Sequence, residues 1–372
     1  MRTVSHRDDL DALLTGLGIM GTGGGGNPKG SGLRLFNADH AAGRSYALIN
    51  VDEVPDDAFI ASGGYLGSVA ATPGNGRKDL SEMGPSPLEI AIRALEREHE
   101  KTVDYLIPFE LGGGNTPAVM SCAAGIDIPV VDGDGIGRAA PETHMSSFLG
   151  HGISLTPMPL AGSDGSLVVV KRGDLFLADE MGRCMASREK GRLANAHYGM
   201  TGIQLKKAAV RGSISQAMAL GQYVRTLRCV GEDALDAVCE FLGGVPLLFG
   251  EVCSADGESI GGFYEAHVVL RGIGRFAGAR LELVIKNEVM CAKVDGQAQV
   301  MFPDLVLLLD PDSLEGIMTP GLSMGRRALV LGVPCAGVVR EAAMTDLGVR
   351  AFSPSRYGEG FEYVPMETLL TR

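Results

Sequence analysis

FELGGGNTPAVMSCAAGIDIPVVDGDGIGRAAPETH, running from Phe109 to His144, decides the fold. An apolar run, Val103–Phe109, leads into it and reads as a strand. Thr116–Ala124 reads as a short helix, entered through Asn115 as N-cap type with Pro117 in its first turn. Ile128–Val131 reads as a second, buried strand. Strand, helix, strand in this rhythm predicts a βαβ unit in a parallel sheet. Ligands of such sheets bind beyond the carboxyl ends of the strands. Glu110, Asp132 and Asp134 fall at those ends, with Asn115, Arg138, Glu142 and His144 close by in sequence.

Upstream, Asp8–Ile19 places leucines at helical spacing with acids early, as the helix dipole favours. It runs into GTGGGGNP, Gly21–Pro28, and a second helix is expected over Lys29–Ala41. Strands are expected at Tyr46–Val51 and Ala58–Ser62, the latter ending in GGYLG, and a helix at Pro87–Glu100. After Leu155 come a strand at Ser166–Lys171, a long helical region through Asn195, and helices at Ser213–Thr226, capped by Ser213, and Glu232–Leu242. From Val245 apolar alternation predicts strands at Pro246–Cys253, Phe263–Arg271, Arg280–Ile285, Gln297–Met301, Leu305–Leu309 and Ala328–Leu331. The expected architecture is an α/β N-terminal domain over 1–163 with a largely parallel sheet, followed by a mainly β C-terminal domain with helices over 164–372.

Composition narrows the function classes. The chain has 372 residues, 45% hydrophobic and 21% charged, so it can bury a core and is not disordered in character. A formal net charge of −12 with no basic stripe argues against nucleic acid. The longest apolar runs are far too short for a membrane span and no signal-peptide core is visible, so a cytoplasmic protein is expected, as is a homo-oligomer. The seven cysteines form no CxxC pair and read as reduced, buried thiols.

Each motif has a chemical and a plain reading. In GTGGGGNP the backbone N–H groups of Gly23, Gly24, Gly25 and Gly26 can approach a ligand, or the glycines can serve a tight backbone crossing. Glu110 ends a buried strand, where a carboxylate needs a partner, and Asn115 can orient a substrate amide. In DGDGIGRAAPETH, the residues Asp132, Asp134, Glu142 and His144 are candidate ligands for a divalent metal such as zinc, or one acid is a general base while Arg138 stabilises negative charge. The plain alternative has Asp132 capping a turn and Arg138 pairing with Glu142 on a surface. Asn287 and Glu288, in KNEV, can reach the site from the second domain or belong to a solvated strand end. Asp304 reads as a cap or turn former, and His197 and His267 as satisfied structural histidines. Neither a P-loop ending nor a GxSxG elbow is present.

Taken in order, GTGGGGNP, ELGGGN, DGDGIGRAAPE, IKNE, DGQ, PDL and AFSP resemble the S-methyl thiohydantoin desulfurase domain family, whose members accompany hydantoinase/oxoprolinase proteins. The resemblance covers nearly the whole chain. It implies an α/β N-terminal and a β-rich C-terminal domain, and a cyclic ureide or thiohydantoin substrate whose exocyclic sulfur is replaced by oxygen. It places the site on Gly23–Gly26, Glu110, Gly112, Gly113, Asn115, Asp132, Asp134, Gly137, Arg138, Glu142, Asn287 and Glu288. The chain departs from the family pattern in SVAATPGNGRKDL, which lacks a Glu-Lys pair, and at Ala140, where an aromatic is usual. The expected activity is hydrolysis of a C–S or C–N bond in a five-membered ureide-type ring; the alternative is a non-catalytic ligand-binding subunit partnering a hydantoinase/oxoprolinase. Phosphate-ester chemistry at Gly21–Gly26 is a weaker third reading.

Overall fold

The computed structural model describes residues 1–67, 86–188, 192–358, 360 and 362–371. The departing segment SVAATPGNGRKDL, which begins at Ser68, lies outside them. Two sheets organise the chain. In the first, the order is Arg2–Val4, Tyr46–Asn50, Val130–Asp134, Tyr105–Pro108, Phe59–Gly67, Arg192–Thr201, Met158–Ala161 and Leu167–Val170, with Val210–Arg211 added beside Val130–Asp134. Its four central strands, Tyr46–Asn50 to Phe59–Gly67, are parallel, and the flanking ones antiparallel, so the sheet is mixed. The βαβ unit is present: Tyr105–Pro108, helix Asn115–Gly125, then Val130–Asp134.

The second sheet is antiparallel, in the order Gln297–Met301, Glu288–Val294, Arg280–Lys286, Phe263–Gly272, Val245–Ile260, Arg327–Val333 and Leu305–Leu309. Alternation along it serves two cores. Leu305, Leu307 and Leu309 join the large core shared with the first sheet, whereas Val306 and Leu308 face the second sheet's own core. Burial of both faces explains the unbroken apolar run Leu305–Leu309.

Helices Arg7–Met20 and Ser213–Thr226 cross closely, the second packing on strand Val130–Asp134 of the first sheet and the first reaching Leu305–Leu309 of the second. The contact is possible because Gly16 and Gly221 carry no Cβ: one would collide with the Ala217 carbonyl, the other with that of Ala12. Among the described residues no helix is long and apolar enough to cross a membrane.

Several local expectations are corrected. The helical region expected through Asn195 stops at Arg188, and Arg192–Thr201 is an interior strand paired on both sides. Its run of small residues suits a strand buried on both faces, and pairing overrides local preference. GGYLG does not follow its strand but completes it, since Phe59–Gly67 pairs with Arg192–Thr201 to its end. The second helix is preceded by a π-helical turn, Pro28–Gly32, and begins only at Leu33. Asn115 and Ser213 are each the first helical residue, behind Gly114 and Gly212, so neither caps its own helix. The hairpin Met158–Ala161/Leu167–Val170 and the short strand Val210–Arg211 complete the first sheet.

Candidate functional site

The two glycine loops meet backbone to backbone. Gly114 N–H donates to the Gly25 carbonyl (2.9 Å), and a Cβ on Gly112 or Gly113 would run into the facing chain at Gly25 or Pro28. The crossing reading of GTGGGGNP therefore holds. Yet Gly24, Gly25 and Gly26 also line a cleft of about 400 Å³, together with Glu110, Asn115, Glu142, Asn195, His197 and Glu288. Gly24 passes so near Glu288 that a Cβ there would collide with the carboxylate.

Glu110 follows its strand by two residues and is buried. Asn115 Nδ2 donates to Oε1 of Glu110 (2.7 Å), and the Ala140 N–H donates to Oε2 (2.6 Å). Asn115 is itself locked to Tyr65, accepting from its N–H (2.9 Å) and donating to its carbonyl (3.0 Å). The amide thus imitates a strand neighbour while aiming Glu110. Burial pushes the Glu110 carboxyl up to about 7, against the pull of these two donors.

Glu288 enters from the other sheet. Arg280–Lys286 and Glu288–Val294 form a hairpin whose turn residue, Asn287, has φ 57°. Asn287 is stabilised there because its Oδ1 accepts the Tyr264 N–H (2.9 Å) and its own N–H donates to the Tyr264 carbonyl (2.7 Å). Both Asn287 and Glu288 are buried, unlike a solvated strand end. Glu288 Oε2 has no hydrogen-bond partner among the described residues. Burial first, and the charge of Glu110 second, hold its carboxyl well above the usual range.

The acid-rich DGDGIGRAAPETH does not converge. Asp132 accepts the Ser215 N–H (3.0 Å) and hydroxyl, capping helix Ser213–Thr226 from a neighbouring strand. Asp134 folds back on its own turn, accepting from Ile136 N–H (2.9 Å) and Gly137 N–H (2.6 Å), and burial raises it to about 6. Arg138, far from lying on a surface with Glu142, is buried. It donates to the carbonyls of Ala139, Asp304 and Val289 and stacks on Phe302 with its guanidinium 4.6 Å from the ring centroid. It joins the two halves of the molecule. Asp304 is a structural hub, accepting from Cys335 N–H, Met366 N–H, Tyr363 and Arg340.

Glu142 reaches the cleft but is held in a two-pronged pair with Arg356 (2.9 Å each) and by Lys286 (3.4 Å). His144 Nε2 lies 2.7 Å from Arg356 Nη1, and burial lowers its imidazole to about 4. Among the described residues no three His, Cys, Asp or Glu side chains are grouped to hold a metal ion, so Asp132, Asp134, Glu142 and His144 do not form the ligand set expected of them.

Sequence reading missed several cleft residues. Asn195 and His197 project from Arg192–Thr201, and a strand hidden under a helical expectation gave no signal beyond their i, i+2 spacing. Arg183 is tied to Asp179 (2.6 Å) and lies 3.6 Å from the Phe263 ring centroid. His197, expected to be satisfied, has neither ring nitrogen hydrogen-bonded among the described residues. His267 is exposed on Phe263–Gly272.

The S-Me-THD-like N-terminal domain model matches residues 8–172 and the S-Me-THD-like C-terminal domain model matches residues 173–366. No curated protein matches the sequence. A crystal structure of a protein from Chromobacterium violaceum, a structural-genomics target, superposes with a TM-score of 0.73 at 23% identity, covering 98% of this chain and 100% of that one. At that identity the likeness is one of fold.

Proposed function

The chain belongs to the S-Me-THD-like family, and from that premise we propose that its cleft hydrolyses an S-methyl thiohydantoin or closely related cyclic ureide. One observation carries this reading: two buried carboxylates, Glu110 and Glu288, reach one cleft from opposite sheets, and both are biased toward the protonated form. Pairs of acids whose environments separate their proton affinities suit general acid and base roles. Near neutrality Glu110 is partly ionised and Glu288 keeps its proton.

Glu110 takes a proton from water as its oxygen adds to the ring carbon bearing sulfur, while Glu288 protonates the adjacent ring nitrogen. The C–S bond then breaks. The intermediate's hydroxyl proton returns to Glu288, Glu110 delivers its proton to sulfur, and methanethiol leaves. Of the water's two protons, one ends on sulfur and the other replaces the proton that Glu288 gave to nitrogen, and its oxygen becomes the ring carbonyl. Asn115 fixes Glu110 for this cycle and Asn287 fixes the turn that presents Glu288.

The test is incubation of 2-(methylthio)hydantoin with the protein in ¹⁸O-water, following methanethiol with a thiol reagent and hydantoin by mass. One ¹⁸O in the hydantoin and one thiol per turnover are expected. Thermal stabilisation by the compound with no thiol released by stoichiometric protein would replace this reading with a ligand-binding subunit.

A further inference from the structure

Neither ring nitrogen of His197 has a hydrogen-bond partner among the described residues. It is fully buried on Arg192–Thr201, edge-on to Phe109 (5.5 Å between centroids) and Tyr198 (4.9 Å), and lines the cleft. Ser62 is its cross-strand neighbour, yet the Ser62 hydroxyl also has no partner among the described residues, so the two do not satisfy each other. Orphaned buried polar groups are rare and costly in native proteins, and an apolar residue would pack here at less cost. Two residues back on the same strand, and so on the same face, Asn195 is likewise buried and lines the cleft.

We propose that His197 and Asn195 recognise the lactam edge of a ring, one N–H beside one carbonyl, with the imidazole supplying a neutral donor or acceptor. This rests on the ring substrate proposed above and assigns its orientation. Neutrality follows from place: burial brings the imidazole down to about 3, so it carries no charge at working pH. A neutral imidazole has one donor and one acceptor nitrogen, and a carboxamide offers both as well, which matches the alternating edge of a lactam. Such an imidazole is a weak base, so it orients and polarises the ring rather than moving the protons assigned to Glu110 and Glu288. A site built to hydrogen-bond a ligand also rejects analogues that leave its buried groups unpaired.

The experiment measures calorimetric binding of hydantoin, and of hydantoin methylated at its imide nitrogen, to the wild type, His197→Leu and His197→Gln. Wild type should prefer hydantoin. His197→Leu should bind hydantoin about tenfold or more weaker, lose the preference and melt at a higher temperature, while His197→Gln should recover part of the affinity. Unchanged hydantoin binding by His197→Leu, with the higher melting temperature, would make the imidazole a packing residue and overturn the proposal. So would a wild type that does not bind hydantoin at millimolar concentration. A wild type that binds hydantoin with the predicted preference yet releases no thiol from the S-methyl compound leaves the lactam site standing and sinks the catalytic reading instead.

Discussion

The carboxylates of Asp132 and Glu288 make the sharpest contrast in this molecule. Both are buried. Asp132 accepts from the first turn of helix Ser213–Thr226, so its burial is compensated and it serves the fold. Glu288 leaves one oxygen unpaired in a cleft, and only a proton or a ligand offsets that cost. Burial alone does not mark a functional acid; what sets Glu288 apart is an unpaired oxygen in a cleft, whereas Asp134, whose Oδ1 is also unpartnered among the described residues, does not line one.

The largest expected effect falls on the unsatisfied side of this contrast. Glu288→Gln should lower kcat by about 10²–10⁴ in the thiol-release assay while the protein stays folded by circular dichroism. Gly24→Ala comes next, because the new Cβ must push the Glu288 carboxylate aside; a loss of about 10²-fold in kcat/KM with little change in melting temperature is expected. Arg138→Met shifts the question to the fold. Three carbonyls lose their donor, and urea unfolding should show a loss of about 3 kcal/mol or more. Asp132→Ala removes a cap borrowed by another element, which should cost about 1 kcal/mol in the same measurement and leave kcat/KM within about twofold.

The smallest effect is a pH dependence of stability. Glu110, raised from 4.5 to about 7, and Glu288, held by burial well above the usual carboxylate range, bind more protons folded than unfolded. Their stabilisation is therefore present at acid pH and lost as pH rises through that window. Glu288→Gln cannot ionise, so its melting temperature relative to wild type should climb between pH 5 and pH 8. A flat difference would mean that Glu288 is not held protonated.

Much of this was legible in the sequence, for identifiable reasons. The βαβ unit was readable because Val103–Phe109 and Ile128–Val131 are apolar runs bracketing a helix of strand-crossover length. The antiparallel C-terminal sheet was readable from alternation and from turns such as Val294–Gln297. Glu110, Asn115, Asn287, Glu288 and Gly24–Gly26 line one cleft because strand ends and hairpin turns collect there, whereas Gly23, Gly112 and Gly113 do not line it. What could not be read was which acids spend their hydrogen bonds inside the fold. Spacing in DGDG says nothing of Ser215, 83 residues away from Asp132, or of Arg356, 214 residues from Glu142. Arg192–Thr201 was missed because its pairing partners, not its residues, make it a strand. His197 reads as a structural histidine because nothing in the sequence shows that its ring nitrogens stay unpaired among the described residues.

The central claim is that chemistry resides in the cleft pair Glu110 and Glu288 and not in the Asp132–Asp134 cluster. The most direct measurement is single-turnover thiol release from 2-(methylthio)hydantoin by Glu288→Gln and Asp132→Asn, side by side with wild type under the same conditions. The account predicts that Glu288→Gln is slowed at least about 10²-fold while Asp132→Asn keeps the wild-type rate within about twofold. A fast Glu288→Gln beside a silent but folded Asp132→Asn would contradict it.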